Sequence, residues 1–185
     1  MKVLTILGSR NPEGQTARAV QALLKGVKTK TDQTEEVFLP KQKIERCRQC
    51  NDNGWGICRS EGRCIIDDDF ATIVDKIKKS DIVVFATPVY FSDLSESLKS
   101  FLDRLRRTTM NDKGKEGITN KPTIGICVAG GGGGGSAACT FSLEKVLYLC
   151  GFNVLDMVAV RRQNLNMKLN ILKITGEWLI NLKEK

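Results

Sequence analysis

A chain of 185 residues, 41% hydrophobic and 27% charged, fits one domain with a sizeable core and contains no apolar run of membrane-spanning length. It has no histidine, which excludes Ser-His-Asp triads, Cys-His nucleophiles and every histidine-containing zinc site. The net charge of +8 comes from scattered Lys and Arg interleaved with acids, without a nucleic-acid motif; it reads as a solvated basic surface, suited to steering an anionic nucleotide or an acidic protein.

Lys2 to Leu7 reads as a buried strand running into the polar loop Gly8-Ser9-Arg10-Asn11-Pro12-Glu13-Gly14-Gln15-Thr16. A helix follows, with Ala17, Val20, Leu23, Leu24 and Val27 on one face. With a strand already at the N-terminus no signal peptide is visible. The seven cysteines are therefore expected as reduced thiols or metal ligands, and a cytoplasmic location follows. Glu35 to Leu39 is a second strand stopped by Pro40, and a cysteine-rich loop occupies residues 44–66. Asp67, Asp68 and Asp69 offer an N-cap and an acidic first turn to a helix with Phe70, Ile73, Val74 and Ile77 on one face. Asp81 to Ala86 is an apolar strand ending in Thr87-Pro88. A helix from about Leu94 to Arg107 turns Leu98, Phe101, Leu102 and Leu105 inward, and residues 109–121 form a polar loop. Thr123 to Val128 is a fourth strand that opens into six glycines, Gly130 to Gly135. A helix from about Ala138 to Leu149 ends at Gly151 as its C-cap, Val154 to Val160 is a fifth strand, and a last helix runs from about Lys168 to Lys183.

Strands that alternate with helices, most of them continuous apolar runs, indicate a parallel sheet covered on both faces. The expected fold is α/β: a flavodoxin-like three-layer sandwich, one domain over residues 1–185, with a five-stranded parallel sheet of order 2-1-3-4-5. Ligands in such sheets sit at the carboxyl ends of the strands, so the loops after strands one, three and four are expected to line one crevice.

The first of these loops suits a phosphate, with backbone N–H groups and a helix N-terminus converging on it. Five residues separate Gly8 from Gly14, and Gln15 stands where a nucleoside-triphosphate loop carries its lysine. The Gly-x-Gly-x-x-Gly pattern of dinucleotide sites is absent too. What remains, Ser9, Asn11, Gln15 and Thr16, suits one terminal phosphate, the alternative being an ordinary strand-to-helix turn with capping residues. In the second loop Tyr90 and Phe91 offer flat apolar surface, or are core aromatics. In the third, the glycines let main chain lie against a ring, or form a linker.

The segment Thr87-Pro88-Val89-Tyr90-Phe91, with Ser95, Leu98-Lys99 and Phe101-Leu102-Asp103-Arg104, resembles the signature of NADPH-dependent FMN reductases, and within them the iron–sulfur flavoproteins related to flavodoxin-type quinone reductases. The resemblance covers roughly residues 2–136. The family's loop usually carries asparagine where Gln15 stands, and an arginine at the position of Asn11. The resemblance implies FMN, with Ser9, Arg10, Asn11, Gly14, Gln15 and Thr16 around its phosphate. It also implies Pro88, Val89, Tyr90 and Phe91 at its ring, with Ser95 in the same motif, and Gly130, Gly131 and Gly132 near its pyrimidine edge. Asp103 and Arg104 are expected to fix the helix or a subunit contact.

Cys47, Cys50, Cys58 and Cys64 are separated by two, seven and five residues. The family resemblance implies them as metal ligands of a [4Fe–4S] cluster, although the family's spacing is the more compact Cys-x2-Cys-x2-Cys. Unligated thiols and a four-cysteine zinc site are the alternatives. Arg46, Arg48, Arg59 and Arg63 are placed to offset thiolate charge. Cys127, Cys139 and Cys150 are expected in the core. The implied protein is an FMN-dependent oxidoreductase, a homodimer or homotetramer. It would pass electrons from NAD(P)H or ferredoxin to a quinone, flavin or other small acceptor; the alternative is a non-catalytic flavodoxin-type carrier.

Overall fold

A computed structural model of the chain describes residues 1–31 and 33–182. Its sheet has five parallel strands: β1 (Val3–Leu7), β2 (Thr34–Phe38), β3 (Ile82–Pro88), β4 (Pro122–Ala129) and β5 (Asn153–Arg161). Their order is β2-β1-β3-β4-β5, as the alternation of elements predicts. The central strands are buried on both faces, which is why they read as unbroken apolar runs.

The helices are α1 (Gln15–Val27), α2 (Ile57–Glu61), α3 (Phe70–Lys79), α4 (Glu96–Thr108), α5 (Asp112–Lys115), α6 (Ser136–Cys150) and α7 (Leu165–Leu179). Helices α1 and α7 cover one face of the sheet; their Val20, Leu23 and Leu172 pack with Val84 and Ile126. On the other face α3, α4 and α6 bring Ile73, Phe101 and Leu143 against Leu4 and Phe85. Two glycines set the distance between α1 and α7. A Cβ on Gly26 would collide with the Lys173 carbonyl oxygen, and one on Gly176 with that of Leu23.

Several boundaries differ from the sequence expectation. Leu39 opens a one-turn 3₁₀ helix with Pro40 instead of closing β2. The last helix begins at Leu165, three residues early, and its expected end at Lys183 lies outside the described residues. Short helices, α2 and α5, interrupt the two segments expected as loops. Gly151 is the left-handed C-cap of α6, as expected, with φ +93°. Among the described residues no helix is long and apolar enough to cross a membrane.

The N-terminus of α3 is capped differently from the simple expectation for three aspartates. Asp68, not Asp69, accepts from the Phe70 N–H at 3.1 Å, while Asp69 accepts from the Lys43 N–H at 2.7 Å and holds the incoming chain.

Candidate functional site

The loops after β1, β3 and β4 meet in a cleft of about 450 Å³ at the carboxyl ends of the strands. From the β1 loop it is lined by Ser9, Asn11, Gly14, Gln15 and Thr16. The Ser9 hydroxyl donates to the Asn11 carbonyl at 3.1 Å and accepts from the Asn11 N–H at 3.2 Å, folding the loop on itself. Asn11 Oδ1 accepts from the Glu13 N–H at 2.9 Å. Gly14 is the N-cap of α1 and supplies no side-chain cap. The first-turn N–H groups that any helix leaves unpaired therefore stay available. Beside them, Gln15 Oε1 is buried and has no hydrogen-bond partner. A buried amide oxygen without a partner costs about 1–3 kcal/mol.

From the β3 loop, Pro88, Val89 and Tyr90 form the apolar wall. The Val89 N–H donates to the Val128 carbonyl at 2.9 Å, which extends the sheet ladder into the loop. Tyr90 and Asp93 then exchange both backbone hydrogen bonds at 2.9 Å around Phe91 (φ +48°) and Ser92 (φ +68°). Two consecutive left-handed residues make a tight turn of the primed hairpin kind. It throws Phe91 outward, 106% exposed, while Tyr90 stays at the cleft.

The third wall is Val128, Ala129 and Gly130 to Gly134. A Cβ on Gly130, Gly131, Gly132 or Gly134 would meet no protein atom within 4 Å. These residues leave a hollow that side chains would fill. Gly135 ends the run for another reason: with φ +76° it lies under the 90–93 turn, where a Cβ would strike Ser92.

Eleven of the fourteen candidate cofactor residues thus line one cleft: Ser9, Asn11, Gly14, Gln15, Thr16, Pro88, Val89, Tyr90, Gly130, Gly131 and Gly132. Three do not. Arg10 turns out to the surface and pairs with Glu96 in the first turn of α4. Phe91 faces solvent. Ser95 is buried as the N-cap of α4, accepting from the Leu98 N–H at 3.4 Å and bonded to Thr87 at 3.0 Å through its own N–H. Val128, Ala129, Gly133 and Gly134 were not among the candidates, although the glycine run itself pointed to the last two. Among the described residues the lining holds no carboxylate, amine or guanidinium.

The cysteine loop is pinned to α4. Arg104, 1% exposed, grips Asp68 through both terminal nitrogens at 2.6 and 2.9 Å and donates to the Glu45 carbonyl at 3.0 Å. Its guanidinium lies 4.3 Å from the Phe70 ring centroid, with Cys64 beside it. Burial pushes the Asp68 carboxyl up, but Arg104 and the Glu45 and Phe70 N–H groups outweigh that and hold it below the usual carboxylate range. Arg107 donates to the Gly54 carbonyl and stacks on Trp55. Arg48 and Arg63 pair with Glu45 and Glu61, and Arg59 stacks on Trp55, while Arg48 also feels the charge of Cys50 and Cys64, as expected.

Cys47, Cys50, Cys58 and Cys64 are free and half-buried. Among the described residues no three Cys, Asp or Glu side chains gather to hold a metal ion. The four thiols are therefore not gathered as the expected ligand set, although the chain doubles back after Cys50, where a Cβ on Gly56 would strike the Cys50 side chain. Cys127, Cys139 and Cys150 are buried core residues, as expected. Burial pushes the Cys150 thiol up to about 12. A hydrogen bond with Cys139, then burial, pushes Cys127 up as well.

Residues 1–167 match the profile of a family described as NADPH-dependent FMN reductase. An iron-sulfur flavoprotein of Methanocaldococcus jannaschii is 37% identical over 106 residues, 57% of this chain and 52% of that one. The chain thus spans about half the length of that relative. Two solved structures share the fold. The NAD(P)H:quinone oxidoreductase of Methanothermobacter marburgensis has a TM-score of 0.71 at 18% identity, covering 97% of this chain and 96% of its own. A flavodoxin from the domain Archaea has a TM-score of 0.64 at 11% identity and full coverage of both chains. The fold is flavodoxin-like, and with nine-tenths of its length matched the chain belongs to the NADPH-dependent FMN reductase family.

Proposed function

We propose that the cleft binds FMN and that the protein is an FMN-dependent oxidoreductase, carrying electrons from NAD(P)H to a quinone, a free flavin or another small acceptor. The observation that carries this reading is an uncapped helix N-terminus beside a buried, unpartnered amide in an uncharged cleft. A phosphate monoester answers both. It accepts from the first-turn N–H groups, and the Gln15 amide, rotated to present its NH₂, donates to it. Thr16 adds a hydroxyl donor, and Ser9 adds one where its hydroxyl leaves the Asn11 carbonyl. Pro88, Val89 and Tyr90 would flank the ring, and the bare backbone of Gly130 to Gly132 would approach its edge. When bound, FMN supplies the redox chemistry, taking a hydride or single electrons. The chain's own task is to bind, orient and exclude water, since among the described residues the lining offers no carboxylate, amine or imidazole for proton transfer.

An iron–sulfur name belongs to a relative. With no three of the thiols at residues 47, 50, 58 and 64 gathered, we route no electron through a cluster. A second reading, a flavodoxin-type carrier served by an acidic ferredoxin, is favoured by the net charge of +8.

The test is FMN titration followed by steady-state NAD(P)H oxidation with a benzoquinone. Stoichiometric FMN with turnover is expected. FMN binding without turnover, but with rapid reduction by ferredoxin, would favour the carrier, and absence of FMN binding would overturn both.

A further inference from the structure

We propose that Gln163 is a positioning residue for the flavin: it holds the Gly132 carbonyl on the outer side of the glycine run and so fixes the face that the run turns toward the ring. This rests on FMN occupying the cleft. Between β5 and α7 the chain makes a one-turn 3₁₀ helix, Arg162–Asn164. From it the Gln163 side-chain amide donates to the Gly132 carbonyl at 3.0 Å. Gly132 lines the cleft and Gln163 does not, so the bond is made from behind the loop.

A run of six glycines has more conformational freedom to lose than any other six residues, and without side chains it can be held only through its backbone. The Gly133 N–H donates to the Gly130 carbonyl at 2.8 Å and closes a turn. Among the described residues Gln163 is the one side chain that bonds to any of Gly130 to Gly134. Its amide also covers Gly133, which is buried with φ +76°, and a Cβ there would collide with Gln163 Oε1. Gln163 is itself fixed at its base. Asn164 Oδ1 accepts from the Arg161 N–H at 2.8 Å, and Arg161 Nε donates to the hydroxyl of Ser136, the first residue of α6, at 3.3 Å. One turn thus grips both the middle of the run and the helix into which it leads.

The hold has two consequences. A loop already ordered spares the ligand the cost of ordering it, which raises affinity. The second consequence is electrostatic. Held outward, the Gly132 carbonyl keeps its negative end away from a cleft that has no charged group in its lining. Released, the glycine peptide can rotate into the hollow, where no protein atom stands in its way. A reduced flavin carries more electron density than an oxidised one, so an inward carbonyl disfavours the reduced form more.

Gln163→Ala and Gln163→Met, the latter keeping the length and losing the donor, test the proposal in the full chain by titration with FMN and with riboflavin. Both variants are expected to bind both flavins about three- to tenfold more weakly, the worth of one hydrogen bond. Because riboflavin lacks the phosphate, an equal loss for the two flavins places the effect at the ring. In Gln163→Ala, reduced FMN is expected to lose about three- to tenfold more than oxidised FMN, which lowers the two-electron potential by about 15–30 mV. Gly133→Ala displaces Gln163 from the other side, so its loss and that of Gln163→Ala are expected not to add. Wild-type affinity in either Gln163 variant, a loss confined to FMN, additive losses or an unchanged potential overturns the proposal. A wild type that binds neither flavin overturns FMN binding instead. Hydrogen exchange of the ligand-free chains then decides the hold itself: faster exchange at the Gly133 N–H in Gln163→Ala supports it, and an unchanged rate overturns it.

Discussion

Gln15 carries a buried amide oxygen that the protein leaves without a partner. Gln15→Ala removes that cost along with the donor proposed for the phosphate, so the two consequences have opposite signs. The ligand-free protein is expected to keep or slightly raise its melting temperature, while FMN affinity falls about tenfold, or 1.4 kcal/mol. Calorimetric titration and thermal melts read both. Gly132 makes a complementary test. A side chain there meets no protein atom within 4 Å, so Gly132→Leu is expected to fold normally and to lose at least tenfold in FMN affinity by filling the hollow. Unaltered affinity, measured by flavin fluorescence, would move the ring elsewhere. The residue types around this cleft were legible in the sequence because helix starts and glycine runs act locally. Arg10 and Phe91 were not. Arg10 is drawn outward by Glu96, a partner 86 residues away, and Phe91 is turned out by a left-handed backbone that its residue type does not signal.

Elements here are joined by contacts between residues distant in sequence, and two of these contacts can be tested. Gly176 lets α7 approach the Leu23 carbonyl of α1. Gly176→Val is expected to push the helices apart at a cost of about 1–3 kcal/mol, read as a lower urea midpoint with FMN binding retained. The second contact is the Asp68–Arg104 pair that fastens the cysteine loop to α4. Its carboxyl is held below the ordinary range in the folded protein. The contribution is therefore complete above the unfolded value, about pH 4, and is lost as pH falls through the lowered folded value. Asp68→Asn is expected to cost about 3–5 kcal/mol at neutral pH, because it leaves a buried guanidinium unpaired, and to flatten the stability profile below about pH 4. Urea unfolding at a series of pH values measures both. The central strands β1, β3 and β4 were legible because double-sided burial imposes apolar runs. The cysteine loop was not, because its shape depends on Arg104 and Arg107, which lie some forty residues beyond it on α4.

At the scale of the molecule, the order β2-β1-β3-β4-β5 brings the ends of β1, β3 and β4 side by side. Three loops that are far apart in the chain thereby share one cleft. A ligand that touches all three binds the folded state and not the unfolded one, so its affinity adds to global stability. At a hundredfold excess over its dissociation constant FMN should contribute about 2.7 kcal/mol. For a chain of this size each kcal/mol raises the melting temperature by about 2–4 °C, so a rise of roughly 5–10 °C is expected. Riboflavin, which lacks the phosphate, should give a smaller shift, because the uncapped N-terminus of α1 and Gln15 then have nothing to hold. Gly132→Leu should reduce the shift for both flavins, since it fills the hollow at the ring. Cys64→Ser should leave the shift intact, because Cys64 lies at the cysteine loop and does not line the cleft. Equal shifts with FMN and riboflavin would show that the β1 loop does not recognise phosphate, and would leave the ring walls of β3 and β4 as the basis of binding.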